Sequence, residues 1–230
     1  MKQILDEVGV VFWLDGATLL GAMREGRFIS WDHDVDFTIW KESIAGDKEK
    51  LLIKRLREKG FEVGIYNINI NVRKPDVESV WLDVNLFSYD DTYAILPNFY
   101  PANFAGRVLN HLIFIFSAPY HCLVYNEKPF LKRFIRRLCI AIARLTPSFL
   151  RVPLVRAGTV IYNKIGTNNN AHMIPKHYFT DLTTMQLYGM EFKVPAETEK
   201  YIAFRYGEDW RTPKKDWLTV RDDGAVIGQG

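Results

Sequence analysis

The chain has 230 residues, 48% hydrophobic and 14% aromatic, which is enough to bury one sizeable core and too apolar for a disordered protein. Its two cysteines, Cys122 and Cys139, show neither CxxC nor Cys/His spacing, which argues against a disulfide framework or zinc module and for a reducing compartment. The formal net charge of +3 conceals an asymmetry, because residues 128–180 hold ten Lys/Arg and no Asp or Glu. A lobe of that kind suits an anionic partner: a phosphate-rich donor, an anionic glycan, a membrane surface or nucleic acid.

The opening residues, Met1-Lys-Gln-Ile-Leu-Asp-Glu7, carry acids where a cleaved signal would need an apolar run, so secretion by that route is not expected. Residues 8–14 read as a buried strand, Asp15-Gly16 as a turn, and residues 18–25 as a short helix closed by Gly26. Residues 29–40 alternate as a strand does, and residues 47–59 form an amphipathic helix with Leu51, Leu52 and Leu56 on its apolar side and Gly60 as its stop. Residues 61–73 and 80–89 read as two further strands joined by a turn at Pro75-Asp76. The first ninety-odd residues, 1–96, are thus expected to form a compact α/β core.

From residue 97 the texture changes to aromatic and proline-rich segments and then to a basic helical run at 129–145, bracketed by Pro147 and Pro153. Residues 97–230 are read as a mostly helical basic lobe packed on the core. The longest uncharged stretch, 108–125, holds Asn110, His111, Pro119 and His121 and so makes a poor membrane span. Asn168 to Asn170 read as a surface loop, residues 195–206 as a helix opened by Pro195 and stopped by Gly207, and residues 224–230 as a frayed tail.

The chemistry concentrates in Trp31-Asp-His-Asp-Val-Asp-Phe37. On a strand, Asp32, Asp34, Asp36 and Thr38 share one face, and carboxylates two residues apart can converge on one ion or an ion pair. Hard oxygen ligands favour Mg²⁺ or Mn²⁺. An amphipathic strand with a wet acidic face fits the same pattern. The preceding turn, Gly16-Ala-Thr18, opens a helix where backbone N–H groups can take a phosphate, or where Thr18 or Asp15 simply caps it. Asp83, inside the apolar run 80–86, is expected either to complete the metal site, to accept a proton from an attacking hydroxyl, or to pair with a cation.

The segments Trp13-Leu-Asp-Gly-Ala-Thr-Leu-Leu-Gly-Ala-Met-Arg24 and Gly26-Arg-Phe-Ile-Ser-Trp-Asp-His-Asp-Val-Asp36 resemble the LicD family, which includes the fukutin-related proteins. Tyr188-Gly-Met-Glu-Phe-Lys-Val-Pro195 and Tyr206-Gly-Glu-Asp-Trp-Arg-Thr-Pro213 are similar to the family's closing segment. The resemblance implies a nucleotidyltransferase-type mixed sheet flanked by helices. It also implies Mg²⁺-dependent transfer of a phospho-alcohol, such as phosphocholine or a polyol phosphate, from a CDP-linked donor to a hydroxyl of a glycan or glycolipid, as in lipopolysaccharide or teichoic acid synthesis. Asp34 and Asp36 match the family's metal-binding acids and Asp83 its third acid, while Gly16, Ala17, Thr18 and Arg24 fall at the donor phosphates. Ala17 stands where a second glycine is usual, and Ser30 where proline is.

Two other readings stay open: nucleotidyl transfer to a small molecule or protein, and a nucleic-acid-binding module, the latter unsupported by any recognisable motif beside the charge. The basic run at 128–139 mixes cations with apolar residues, as either a core helix or a helix on an anionic membrane does. A cytoplasmic protein, peripheral at the inner face of a membrane, is the expected setting.

Overall fold

The computed structural model describes residues 1–65, 69–74, 81–117 and 130–228. The first element is not a strand but the helix α1 (Lys2–Val8), which buries Ile4, Leu5 and Val8 and ends at Gly9 with φ +70°. That left-handed cap turns the chain into β1 (Phe12–Leu14), whose three side chains are all buried. Asp15 caps α2 (Gly16–Glu25), which Gly26 closes at φ +65°. A turn in which Asp32 N donates to Ile29 O delays β2 until Asp34–Trp40, five residues after the expected start. In α3 (Asp47–Glu58), Leu52 and Leu56 are buried as expected, but Leu51 is 38% exposed.

The segment expected as one strand over 61–73 is instead a hairpin, β3 (Glu62–Ile65) antiparallel to β4 (Asn69–Arg73). The anticipated turn at Pro75-Asp76 lies outside the described residues. β5 (Trp81–Tyr89) then enters between β2 and β4, parallel to the first and antiparallel to the second. Its last two residues pair with β6 (Tyr93–Pro101), which pairs in turn with β7 (Thr167–Pro175). The expected boundary at 96/97 therefore falls inside β6, and one sheet runs through both halves of the chain. Asn168 to Asn170 are not a loop. They form ladder positions of β7 opposite β6, where pairing overrides their poor strand propensity.

The mixed sheet has the order β1-β2-β5-β6-β7-β10, with β3 and β4 branching from β5. β10 (Val226–Gly228) pairs with β7 and Ala225 is fully buried, so the tail expected to fray is the sheet's edge through residue 228. A separate hairpin of β8 (Leu182–Leu187) and β9 (Met190–Pro195) turns through Tyr188 and Gly189, both at positive φ as a two-residue hairpin turn requires. The helix expected from Pro195 begins at α7 (Thr198–Tyr206), because Pro195 ends β9. A short α8 (Thr219–Asp222) precedes β10. Helices α4 (Phe104–Ser117), α5 (Phe130–Leu145) and α6 (Ser148–Ile165) form a helical part with its own small core of Ile115, Ile140 and Ala143. α4 and α6 meet where a Cβ on Gly106 would lie 2.0 Å from Gly166 O, so only glycine fits there.

The large core closes around Trp13, Phe179 and Tyr201, whose rings stand 5.2 and 5.3 Å apart in succession. Beneath it lies a buried charge network. Asp15, 2% exposed, accepts hydrogen bonds from Gly16 N (2.7 Å), Thr38 Oγ1 (2.8 Å), Tyr201 Oη (2.5 Å) and Arg205 Nη1 (3.1 Å). The Arg205 guanidinium also donates through Nε and Nη2 to Asp223 Oδ2, at 3.1 and 2.5 Å. Burial pushes the Asp223 carboxyl up, but Arg205 and His172 outweigh burial and hold it well below the usual carboxylate range. A depressed carboxyl contributes stability that is complete above its unfolded pKa, about 3.9, and is lost as pH falls below that value. Asp223→Asn is therefore expected to cost on the order of 3 kcal/mol at pH 7. Thermal unfolding followed from pH 7 down to pH 2 checks this: the deficit should shrink below pH 4.

Candidate active site

Sheet register builds the centre. β2 and β5 pair with Asp36 opposite Asp83 and Asp34 opposite Trp81. Alternation puts Asp34 and Asp36 on one face, and the strand spacing of about 4.8 Å brings Asp83 in beside them. One carboxylate oxygen from each of the three lies within 4.8 Å of the other two, so the trio can hold a metal ion.

The electrostatics fit that role. Burial, and then the charges of Asp34, Asp83, Asp15 and Asp32, drive the Asp36 carboxyl well above its ordinary range. Burial raises Asp83 to about 6, with the Asn71 amide opposing and Asp34 adding to the rise. Asp32 is pushed up to about 7, first by burial and then by its hydrogen bond to Asp34 and that residue's charge. Carboxylates so crowded stay ionised together only with a cation among them, and a donor set made wholly of oxygen suits a hard divalent ion.

Neighbouring groups hold the acids in place. Asn71 Nδ2 donates to Asp83 Oδ1, and Asn85 Nδ2 donates to Asp36 Oδ1 at 3.3 Å. Thr18 is buried, and its Oγ1 accepts from Asp36 N at 2.9 Å, so this side chain braces the acidic strand. Gly16 sits at φ +57°, where a Cβ would lie 2.5 Å from Asp36 Oδ2, so glycine is needed there for both conformation and space. The Gly16 N–H is already occupied by the Asp15 cap.

A cavity of about 180 Å³ opens beside this centre. Ala17 and Arg24 of α2 form one wall, and Trp31 and Asp32 lie at the approach to β2. The segment after α7 supplies the opposite wall, with Trp210, Lys215 and Trp217. The Arg24 side chain is only 7% exposed and pairs with Glu25 at 2.7 Å. Lys215 Nζ lies 5.1 Å from the Trp31 ring centroid, so an aromatic face and a cation are presented together.

The structure thus gathers Asp34, Asp36 and Asp83 into one cluster. It sets Gly16 against Asp36, puts Ala17 and Arg24 on the cavity, and turns Thr18 inward. Sequence reasoning passed over Asn71 and Asn85, although Asn85 stands two residues beyond Asp83 on the same strand face. It also gave Trp210, beyond the Gly207 helix stop, no part in the site. Trp210 is buried, and it walls the cavity as well.

Ribitol 5-phosphate transferase FKRP of mouse (Mus musculus) and of human (Homo sapiens) is 35% identical over 101 residues. That match covers 44% of this chain and 19% of each relative, so the chain spans about a fifth of their length. The lincomycin-bound crystal structure of lincosamide antibiotic adenylyltransferase LnuA aligns over 61% of this chain and 91% of its own, at 12% identity and a TM-score of 0.29, too distant to carry an argument. The family described as LicD/FKTN/FKRP, nucleotidyltransferase domain, matches residues 9–106, a span that includes α2, β2, β5 and all three clustered acids. Over residues 9–106 this chain is similar to the LicD/FKTN/FKRP nucleotidyltransferase domain family.

Proposed function

We propose that this chain is a phosphotransferase that moves a phospho-alcohol, either a polyol phosphate or phosphocholine, from a CDP-linked donor to a hydroxyl of a glycan or glycolipid. The observation that carries the reading is the convergence of Asp34, Asp36 and Asp83 from two paired parallel strands beside an aromatic, cationic cavity. Its relatives' activity, ribitol 5-phosphate transfer, makes a polyol phosphate the first donor to try.

Asp34, Asp36 and Asp83 would hold Mg²⁺ or Mn²⁺, which when bound neutralises the donor diphosphate and the departing nucleoside monophosphate. The protein's own groups do the rest. Trp31 offers a face to the donor's base, with Lys215 and Arg24 on the same cavity contributing positive charge for the phosphates. Asn71 and Asn85 fix two of the carboxylates, so the three do not have to reorganise when charge develops. Asp32, on the cavity wall, would take the proton of the attacking hydroxyl.

Asp36→Asn is expected to lower turnover of CDP-ribitol or CDP-choline by about 10³-fold, measured with purified protein and Mg²⁺. Wild-type turnover by this variant overturns the reading. In metal-free protein the same change removes a crowded buried charge, so it should raise the melting temperature by about 2–4 °C, the shift that ~1 kcal/mol produces in a domain of this size. It should also abolish the further rise that Mg²⁺ gives the wild type. Trp31→Ala should weaken donor binding about tenfold, as loss of one stacked base does, seen in KM more than in kcat. A donor labelled on its nucleotide should leave the acceptor unlabelled, and label on the acceptor would assign nucleotidyl transfer instead.

A further inference from the structure

Helices α4, α5 and α6 carry their apolar residues on the wrong side for a soluble protein. On α5 the core contacts are Ile140 and Ala143, while Phe134, Ile135, Leu138, Ile142 and Leu145 recur at three- and four-residue spacing on the opposite face, each 49–84% exposed. Among the described residues of α6 the buried one is Tyr162, and Phe149, Leu150, Leu154, Ile161 and Ile165 are 49–73% exposed. Phe104, Val108 and Leu112 make a similar outward stripe on α4. An apolar surface of this extent marks an interaction face.

Charge selects the occupant. The three helices contain nine Lys/Arg and no Asp or Glu. Two copies of this helical part would bring like charges together, which opposes self-association. An anionic bilayer answers both features, accepting the apolar stripe below its headgroups and the cations at them. Among the described residues no single helix is long and apolar enough to cross a membrane. Instead α5 and α6 meet in a 110° bend, where Leu145 and Phe149 are among the most exposed apolar side chains of the described residues and Leu150 is exposed beside them.

We propose that α4–α6 form a membrane-docking surface that seats on anionic lipid with the α5–α6 bend as its deepest point. The inference rests on the exposed helix faces and not on the reaction assigned to the acids, so it stands or falls separately.

Co-sedimentation of the full chain with phosphatidylcholine vesicles, with and without phosphatidylglycerol, tests it. Binding is expected to the mixed vesicles, at least tenfold stronger than to phosphatidylcholine alone and weakened by 0.5 M salt. The double variant Leu145→Ser/Phe149→Ser should lose at least tenfold of that binding while keeping the wild-type melting temperature, since both side chains are exposed. Arg137→Glu with Arg156→Glu should lose the preference for anionic lipid. Absence of binding to anionic vesicles overturns the proposal, as does undiminished binding by the Leu145/Phe149 variant. A lipid-free dimer that the same variant dissociates, without vesicle binding by the wild type, would assign the face to a second copy.

Discussion

The ion pair between Asp15 and Arg205 is the constraint on which the rest is hung. Asp15 starts α2, the helix that sets Gly16 against Asp36 and carries Arg24 to the cavity. Arg205 lies 190 residues later on α7 and joins Asp15 to Asp223 beside β10. A desolvated guanidinium between two carboxylates adds little net stability over apolar packing, but parting it from either one leaves a buried charge uncompensated. It thereby fixes the closing segment against the acidic strands. The family match ends at residue 106, yet Trp210 and Trp217 on the cavity wall belong to that later segment. The site is therefore shared between two distant stretches of chain.

The acids and their scaffold pull in opposite directions. Burial and mutual repulsion raise the Asp32, Asp36 and Asp83 carboxyls above their ordinary range, so the metal-free fold carries an electrostatic cost at neutral pH. Hydrogen bonds from Asn71 and Asn85, and the brace from Thr18, keep the carboxylates convergent despite that repulsion.

What was legible in the sequence was local. Strand alternation through Asp34 and Asp36, the Asp15-Gly16 turn, and the stops at Gly26 and Gly60 follow from short-range stereochemistry. Where the reading failed, the cause was pairing or packing partners far away in the chain. β5 is parallel to β2 although the β3–β4 hairpin intervenes, and no local pattern dictates that Asp83 should meet Asp36. Three asparagines became strand because β6 was waiting for them. The stripe on α5 was visible as a periodicity, but periodicity does not say which face packs.

One consequence follows from the way β5 is shared. Its first seven residues pair with β2 and carry Asp83, and its last two hand the sheet on to β6, from which the chain runs into α4. At about 3.3 Å per residue the strand sets Asp83 about 20 Å from Tyr89. β5 is thus a stiff strut, with the reaction centre on one half and the tether to the helices on the other. Whatever the helices rest on, the acids stand at a set height from it, and an acceptor must present its hydroxyl at that height.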